Sequence, residues 1–279
     1  MFEKHLLSGK RILITGGGSG LGAAMGRRFL ELGANIVICG RRLELLEATA
    51  DAMRGQSAGK VTPMRCDIRD GAAVEAMMEA IWQDAPLDVL VNNAAATFIA
   101  ETEHLSFRAA DAILAPTLHG AMYCTLAAGR RWIAAKHRGV VLSILSTSTI
   151  TGRAFTVPSA MAKSGLLAMT KSLAVEWGPK GIRLVAIAPG AFPAPGASEQ
   201  LRPKGRDDAW APRNPLGRTG ERRELADLAC FLISDSGGYI NGEMVVQDGG
   251  GHLRSSGAED LLQWTEEQWE EHRAARAKG

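Results

Sequence analysis

The residues most suited to chemistry open with Thr15-Gly16-Gly17-Gly18-Ser19-Gly20-Leu21-Gly22. Glycines let a backbone turn sharply and come close to a diphosphate. A helix starting at this point presents free N–H groups and the positive end of its dipole to an anion. An apolar run precedes the loop and a helical pattern follows it. That context turns a weak glycine motif into a specific one, although an ordinary glycine-rich turn is the plain alternative. The candidate contacts are Gly16, Gly18, Ser19, Gly20, Leu21 and Gly22. A second signal is Ile38-Cys39-Gly40-Arg41-Arg42. A site for NAD usually carries an acid there to bind the ribose 2′-hydroxyl. Gly40 stands in that place, and Arg41 and Arg42 follow it. Either arginine suits a forked bond to a 2′-phosphate, so NADP(H) is the expected cofactor; otherwise both are solvated surface charges.

The elements that must position these residues alternate regularly. Strands are expected at Arg11–Ile14, Asn35–Cys39, Val61–Arg65, Leu87–Val91, Val140–Leu145, Arg183–Ile187 and Met244–Gln247. They are rich in Val, Ile and Leu with little alternation, which suits strands buried on both faces of a parallel sheet. Helical patterns fall at Leu21–Leu32, Leu43–Met53, Gly71–Trp82, Ser106–Lys136, Ser159–Trp177 and Glu221–Ser234. Gly33 is the expected stop of the first. The order predicts an α/β fold: a doubly wound parallel sheet of the Rossmann type, as one domain over residues 1–279. The proline-rich stretch 189–215 reads as a long loop and a candidate substrate lid, or else as a disordered insertion. Residues 252–279 form a C-terminal extension. There Thr265 and Gln268 make a possible capping box, and Trp264 and Trp269 suggest packing on the body or on a neighbouring subunit.

Composition bounds the function. The chain has 279 residues, 46% of them hydrophobic, with a net charge of +2. That balance gives no strong pull toward nucleic acid or membrane. Cys39, Cys66, Cys124 and Cys230 are scattered without a CxxC pair, so neither a metal nor a disulfide framework is expected. The stretch Met1-Phe2-Glu3-Lys4-His5 lacks the apolar segment of a signal peptide, and no run is long enough to span a bilayer. A cytoplasmic protein with reduced thiols fits best.

Taken in order, further motifs make the chain resemble the short-chain dehydrogenase/reductase family over essentially its full length. They are the Thr15–Gly22 loop, Asp67 after the third strand, and Asn92-Asn93-Ala94-Ala95 after the fourth. Ser146 follows the fifth strand, Lys163 lies in a helix, and Pro189-Gly190 follows the sixth. The resemblance implies that Asp67 and Ile68 face the adenine. It also implies that Asn93 and Ala94 line the cofactor channel, that Lys163 bonds the nicotinamide ribose, and that Pro189 and Gly190 border the nicotinamide. It implies a dimer or tetramer built on the two long helices, with a homotetramer the expected form.

One departure reshapes the chemistry. The family carries Tyr-x-x-x-Lys on its catalytic helix, whereas this chain has Ser159-Ala160-Met161-Ala162-Lys163. The i,i+4 spacing keeps positions 159 and 163 on one face. A neighbouring ammonium can tune a tyrosine to exchange protons near neutrality; a serine hydroxyl is a far weaker acid. The segments Phe155–Lys163 and Lys171–Gly178, with Asn92–Ala95, Phe98-Ile99 and Thr265–Trp269, are similar to 2,4-dienoyl-CoA reductases. In that subgroup serine stands at position 159, and hydride passes from NADPH to a conjugated dienoyl thioester. Ser148 replaces the subgroup's upstream tyrosine, His119 its asparagine, and Thr117 the asparagine of the wider family. Tyr123 and Tyr239 match no active-site position.

Two readings follow. As a reductase of an unsaturated acyl thioester, the protein uses Ser146, Ser148 and Ser159 as hydroxyls on the carbonyl oxygen. Lys163 supplies charge and His119 is a candidate proton donor. Some hydroxyls in the run Ser143–Thr151 must be structural, and His119 is alternatively a packed or interfacial residue. As a catalytically degenerate protein, it binds NADP(H) without turnover. A ketone or 3-oxoacyl reductase with an atypical acid is a third option. Arg202, Lys204, Arg206, Arg213 and Arg218 could attract the nucleotide end of an acyl-CoA, and Phe98, Phe155 and Phe192 could line an acyl channel.

Overall fold

A computed structural model describes residues 3, 5–54, 59–193, 211, 214–254, 261–262 and 264–276. Seven strands form one parallel sheet: β1 (Arg11–Thr15), β2 (Asn35–Gly40), β3 (Val61–Arg65), β4 (Val89–Asn92), β5 (Gly139–Ile144), β6 (Ile182–Pro189) and β7 (Met244–Gln247). Their order is β3-β2-β1-β4-β5-β6-β7. The order reverses between β1 and β4, where a crevice opens at the carboxyl ends of the strands.

Helices cover both faces. On one face lie α1 (Gly20–Glu31), α2 (Leu43–Met53) and, further along the chain, Arg222–Ile233. The other face carries α3 (Gly71–Asp84), then Phe107–Leu114 as α4, Gly120–Ala135 as α5 and Val157–Trp177. With the short Ser148–Thr151 helix as α6, the last of these is α7, Arg222–Ile233 is α8 and the terminal Glu266–Arg276 is α9. Burial on both faces of β1, β2, β4, β5 and β6 explains their unalternating apolar sequences. Pro63 sits in β3, an edge strand, where a missing N–H costs no inner ladder bond.

Local signals account for the ends. Gly33 follows α1 with φ +91, a left-handed stop. The Asp70 side chain accepts from the N–H groups of Ala72 and Ala73 and starts α3. Glu221 and Glu224 form a capping box on α8. Thr265 and Gln268 do the same at the tail, by Thr265 N–H to Gln268 Oε1 (2.8 Å) and Gln268 N–H to Thr265 Oγ1 (3.3 Å). Trp264 and Trp269 pack on each other, ring centroids 4.8 Å apart.

One expected element is divided. The helix expected over Ser106–Lys136 carries Pro116, and residues Ala115–His119 form a π-helical turn between α4 and α5. Proline cannot supply the ladder N–H, and a π turn absorbs one extra residue.

At the amino ends of the strands a polar network closes the sheet. Arg11 donates to the Ile81 carbonyl (2.7 Å) and to Asp84 (2.7 Å). The Arg11 N–H donates to Asp88 (2.7 Å), which also meets His137 (3.0 Å). The Trp132 indole donates to the Leu87 carbonyl. The Leu87 carbonyl is taken by Trp132, and β4 begins at Val89 rather than at the expected Leu87. Among the described residues no helix is long and apolar enough to cross a membrane.

Candidate active site

The turn after β1 is bolted to the end of β4. The Thr15 hydroxyl donates to the Val91 carbonyl (3.2 Å) and accepts from the N–H groups of Asn93 and Ala94 (3.0 Å each). Asn93 Nδ2 donates back to the carbonyls of Thr15 (2.9 Å) and Gly16 (3.2 Å). This closeness depends on missing side chains. Gly16 has φ +65, and a Cβ there would lie 3.0 Å from Ala94 Cα. A Cβ on Gly22 would lie 2.6 Å from both Asn93 Nδ2 and the Gly16 carbonyl. Ser19, the N-cap of α1, makes no side-chain cap bond, and the first turn of α1 carries no acid. The cradle therefore offers open amides and no competing negative charge, and it fits a dinucleotide diphosphate.

From this turn a groove of about 480 Å³ runs along the carboxyl edge of the sheet. One end is lined by Gly16, Gly18, Ser19, Gly20, Leu21, Gly40, Arg41, Arg42, Asp67 and Ile68. Arg69, which the motif reading passed over, also lines it and forks Asp67 (Nε to Oδ1 2.9 Å, Nη2 to Oδ2 2.5 Å). That pairing holds the Asp67 carboxyl below its ordinary range. The signal for it was the Asp-x-Arg spacing alone.

Asn93 and Ala94 line the middle of the groove, and Ser146, Ser148, Ser159, Lys163, Pro189 and Phe192 the far end. Lys163 is 6% exposed and donates to the Ile144 carbonyl at the tip of β5. Burial lowers its ammonium to about 8. Ser148 is buried, and its N–H donates to Ser146 Oγ (3.3 Å), so the Ser146 hydroxyl also shapes the turn into α6. Arg153 and Thr156 line the same end and were not singled out from sequence. Thr117 is fully buried and serves the backbone instead: its hydroxyl accepts from Ala96 N–H (3.0 Å).

Several sequence expectations need correction of position. His119 does not line the groove. It is exposed, and its ring stacks on Tyr123 with centroids 6.4 Å apart. The π turn is the cause: its extra residue turns His119 outward while Pro116 faces in. Gly22 and Gly190 act behind the lining rather than on it. A Cβ on Gly190 would strike Asp248, at 2.5 Å from its Cβ. Phe155 is 56% exposed, and Phe98 lies off the groove. Arg218 pairs with Glu224 (2.7 Å) away from the groove. Arg202, Lys204, Arg206 and Arg213, with most of the expected lid, lie outside the described residues. Neither Tyr123 nor Tyr239 lines the groove.

The sequence model of the family described as "Enoyl-(Acyl carrier protein) reductase" matches residues 16–252. The chain is 41% identical over 244 residues to a probable 2,4-dienoyl-CoA reductase of Bacillus subtilis, covering 86% of this chain and 96% of that protein. A probable 2,4-dienoyl-CoA reductase 3 of Caenorhabditis elegans is 39% identical, with 94% and 88% covered. Among solved structures, a short chain dehydrogenase from Bacillus anthracis superposes with a TM-score of 0.81 at 37% identity, over 88% of this chain and 98% of that one. A putative 2-deoxy-d-gluconate 3-dehydrogenase from Agrobacterium tumefaciens with bound NADP does so with a TM-score of 0.82 at 30% identity, over 90% and 100%. The chain belongs to the short-chain dehydrogenase/reductase family and is an oxidoreductase of that type. Within it, the chain resembles the 2,4-dienoyl-CoA reductases.

Proposed function

We propose that the protein is an NADP(H)-dependent reductase of unsaturated acyl thioesters, of the 2,4-dienoyl-CoA reductase kind. One observation carries the reading: the far end of the groove offers Ser146, Ser148, Ser159 and the Lys163 ammonium, and no phenol. Ketone reduction leaves an alkoxide that needs a proton donor beside it. Losing a dedicated acid there costs on the order of 10²–10⁴ in rate. A conjugated thioester needs only its carbonyl oxygen stabilised, since water can protonate carbon afterwards. Hydroxyl donors and a fixed ammonium supply that stabilisation. The names of the Bacillus subtilis and Caenorhabditis elegans relatives support the same substrate class.

In this reading the amides from Gly16 to Gly22 hold the diphosphate, and Arg41 or Arg42 the 2′-phosphate. Asp67 and Ile68 face the adenine, while Asn93 and Ala94 line the channel. Lys163 bonds the ribose, and Pro189 and Gly190 border the nicotinamide. Bound there, the reduced dinucleotide supplies a hydride. Ser148 and Ser159 orient the thioester carbonyl, and Lys163 keeps positive charge close to it. His119 has no direct part, being outside the groove. An acyl-CoA as the thioester, a homotetramer built on α4, α5 and α7, a lid within 189–215 and a cytoplasmic location complete the proposal.

The missing phenol also favours a second reading, a dinucleotide-binding protein without turnover. One assay separates the two. Purified protein and NADPH are mixed with dienoyl-, enoyl- and 3-oxoacyl-CoA and followed at the nicotinamide absorbance. Oxidation of NADPH with dienoyl-CoA is expected. Tight NADPH binding with no turnover on any thioester establishes the second reading instead.

A further inference from the structure

The phosphate loop has a freedom that its neighbours must remove. Gly16, Gly17, Gly18 and Gly20 carry no Cβ, so the peptide planes between them swing at little steric cost. In a trans peptide the C=O and the next residue's N–H lie in one plane and point in opposite directions. Each carbonyl that is fastened therefore sets the direction of one amide.

Most of the fastenings come from close by. Asn93 holds the Thr15 and Gly16 carbonyls, and the Ala23 N–H holds the Ser19 carbonyl (3.1 Å). The Gly18 carbonyl is held from another helix: the Thr49 hydroxyl on α2 donates to it (2.8 Å). Packing fixes the same spot. Gly18 is buried, and a Cβ on it would meet Leu46 and Leu45 of α2 at 3.2 Å and 3.5 Å. On the other side a Cβ on Gly17 would meet Ile38 of β2 at 2.6 Å. The Ser19 N–H shares its peptide plane with the Gly18 carbonyl. With that carbonyl turned to α2, the Ser19 N–H points away from α2. Among the described residues no hydrogen bond takes this N–H, and Ser19 is exposed and lines the groove. Thr49 itself does not line the groove.

We propose that Thr49 is a positioning residue for the dinucleotide: by tying the Gly18 carbonyl to α2, it aims the Ser19 amide at the diphosphate. The inference rests on the reading of this loop as a dinucleotide cradle. Thr49 stands behind the wall and acts through one peptide plane. Without its hydroxyl the Gly18 carbonyl turns to water for a partner, and the Ser19 N–H swings out of line with it. The cradle then loses one amide. The arginine rim should keep its place, because Arg42, the N-cap of α2, precedes Thr49 by about two turns.

The test uses full-length wild type, Thr49→Val and Thr49→Ser, titrated with NADPH and with NADH by calorimetry well below the melting temperature. Thr49→Val keeps the branched shape and removes the hydroxyl; Thr49→Ser keeps the hydroxyl. Thr49→Val should bind about three- to tenfold more weakly, the size of one hydrogen bond. Its melting temperature without ligand should stay within a few degrees of wild type. NADPH and NADH should lose by the same factor, since both carry the diphosphate, and Thr49→Ser should recover most of the affinity. A loss below about threefold overturns the proposal, whatever the melting temperature does, and marks Thr49 as a structural contact only. A loss confined to NADPH also overturns it, by placing the amide on the 2′-phosphate. So does an equal loss in Thr49→Ser, which would assign the effect to packing rather than to the hydroxyl. If wild type binds neither dinucleotide, the cradle reading itself fails and the proposal with it. That result is distinct from a wild type and a Thr49→Val that bind equally well, which overturns the role of Thr49 alone.

Discussion

The two ends of the groove are made of different material. In the proposed function the dinucleotide end works through backbone: open amides at the start of α1, held against β4 by Thr15 and Asn93 because Gly16 and Gly22 carry no Cβ. The proposed substrate end works through side chains on α7 and the loops after β5. A backbone site cannot change one function at a time, since any Cβ added at Gly22 meets a carbonyl at 2.6 Å. A side-chain site can. In the proposed reading, position 159 holds serine where a tyrosine is expected, while the sheet order and the buried Lys163 are kept. On that reading the fold keeps its cofactor half while the substrate half varies.

The sharpest way to break this contrast is to put a charge in the backbone half. Gly18 has ordinary φ, and its Cβ would meet only the flexible ends of Leu46 and Leu45 (3.2–3.6 Å). Gly18→Asp should therefore fold, with a melting temperature within a few degrees of wild type. Its carboxylate would add a negative charge beside the anion cradle, and calorimetry should show dinucleotide affinity reduced by more than about 100-fold. Retained affinity would mean that the amides are not the anchor.

Lys163→Met comes next. It keeps the length of the side chain and removes the ammonium, so affinity or turnover should drop by roughly 10–100-fold. Stability should move the other way. A lysine with ordinary value 10.5 is lowered by burial to about 8, so the unfolded chain binds more protons between those values. Wild-type stability then rises with pH across about 8 to 10.5, and the cost of the buried ammonium is fully present below pH 8. Its size is on the order of 3 kcal/mol. Melting curves at pH 7 and pH 10 should show Lys163→Met losing its relative advantage as pH rises. In wild type without ligand, affinity for the dinucleotide should weaken as pH passes about 8; the variant should lack that dependence.

A smaller effect is expected at the rim. Gly40→Asp with Arg41→Leu restores an acid and removes a cation. The preference for NADPH over NADH should shift toward NADH by about tenfold or more, measured as the ratio of the two dissociation constants. An unchanged ratio would assign Arg41 to the solvated surface. The smallest change should come from His119→Ala, whose kcat/KM should stay within about twofold of wild type. A large loss would bring the imidazole back into the chemistry.

Much of the fold was legible because its signals are local. Unalternating Val, Ile and Leu runs marked the buried strands, and Gly33 and Thr265 marked helix ends. The glycine loop was legible for the same reason: the residue type is the mechanism. The direction His119 faces was not legible, because facing cannot be counted through a π turn; Pro116 was the visible warning. Arg69 and Arg153 were missed because their use depends on which wall they reach. Arg69 reaches Asp67 two residues back, and Arg153 depends on the left-handed geometry at Gly152 and Phe155. The Asp-x-Arg spacing was the one sign of Arg69, and Arg153 had none.

The network at the amino ends of the strands has a practical consequence. Arg11, Asp84, Asp88, His137 and Trp132 tie α3, β4 and α5 together at the opposite rim from the groove. A strand of five residues separates the two rims by roughly 17 Å. Durability and reactivity are thus governed from opposite poles of the same sheet. Engineers can reinforce one pole, shortening its connections or enriching its ion pairs, and leave turnover at the other untouched.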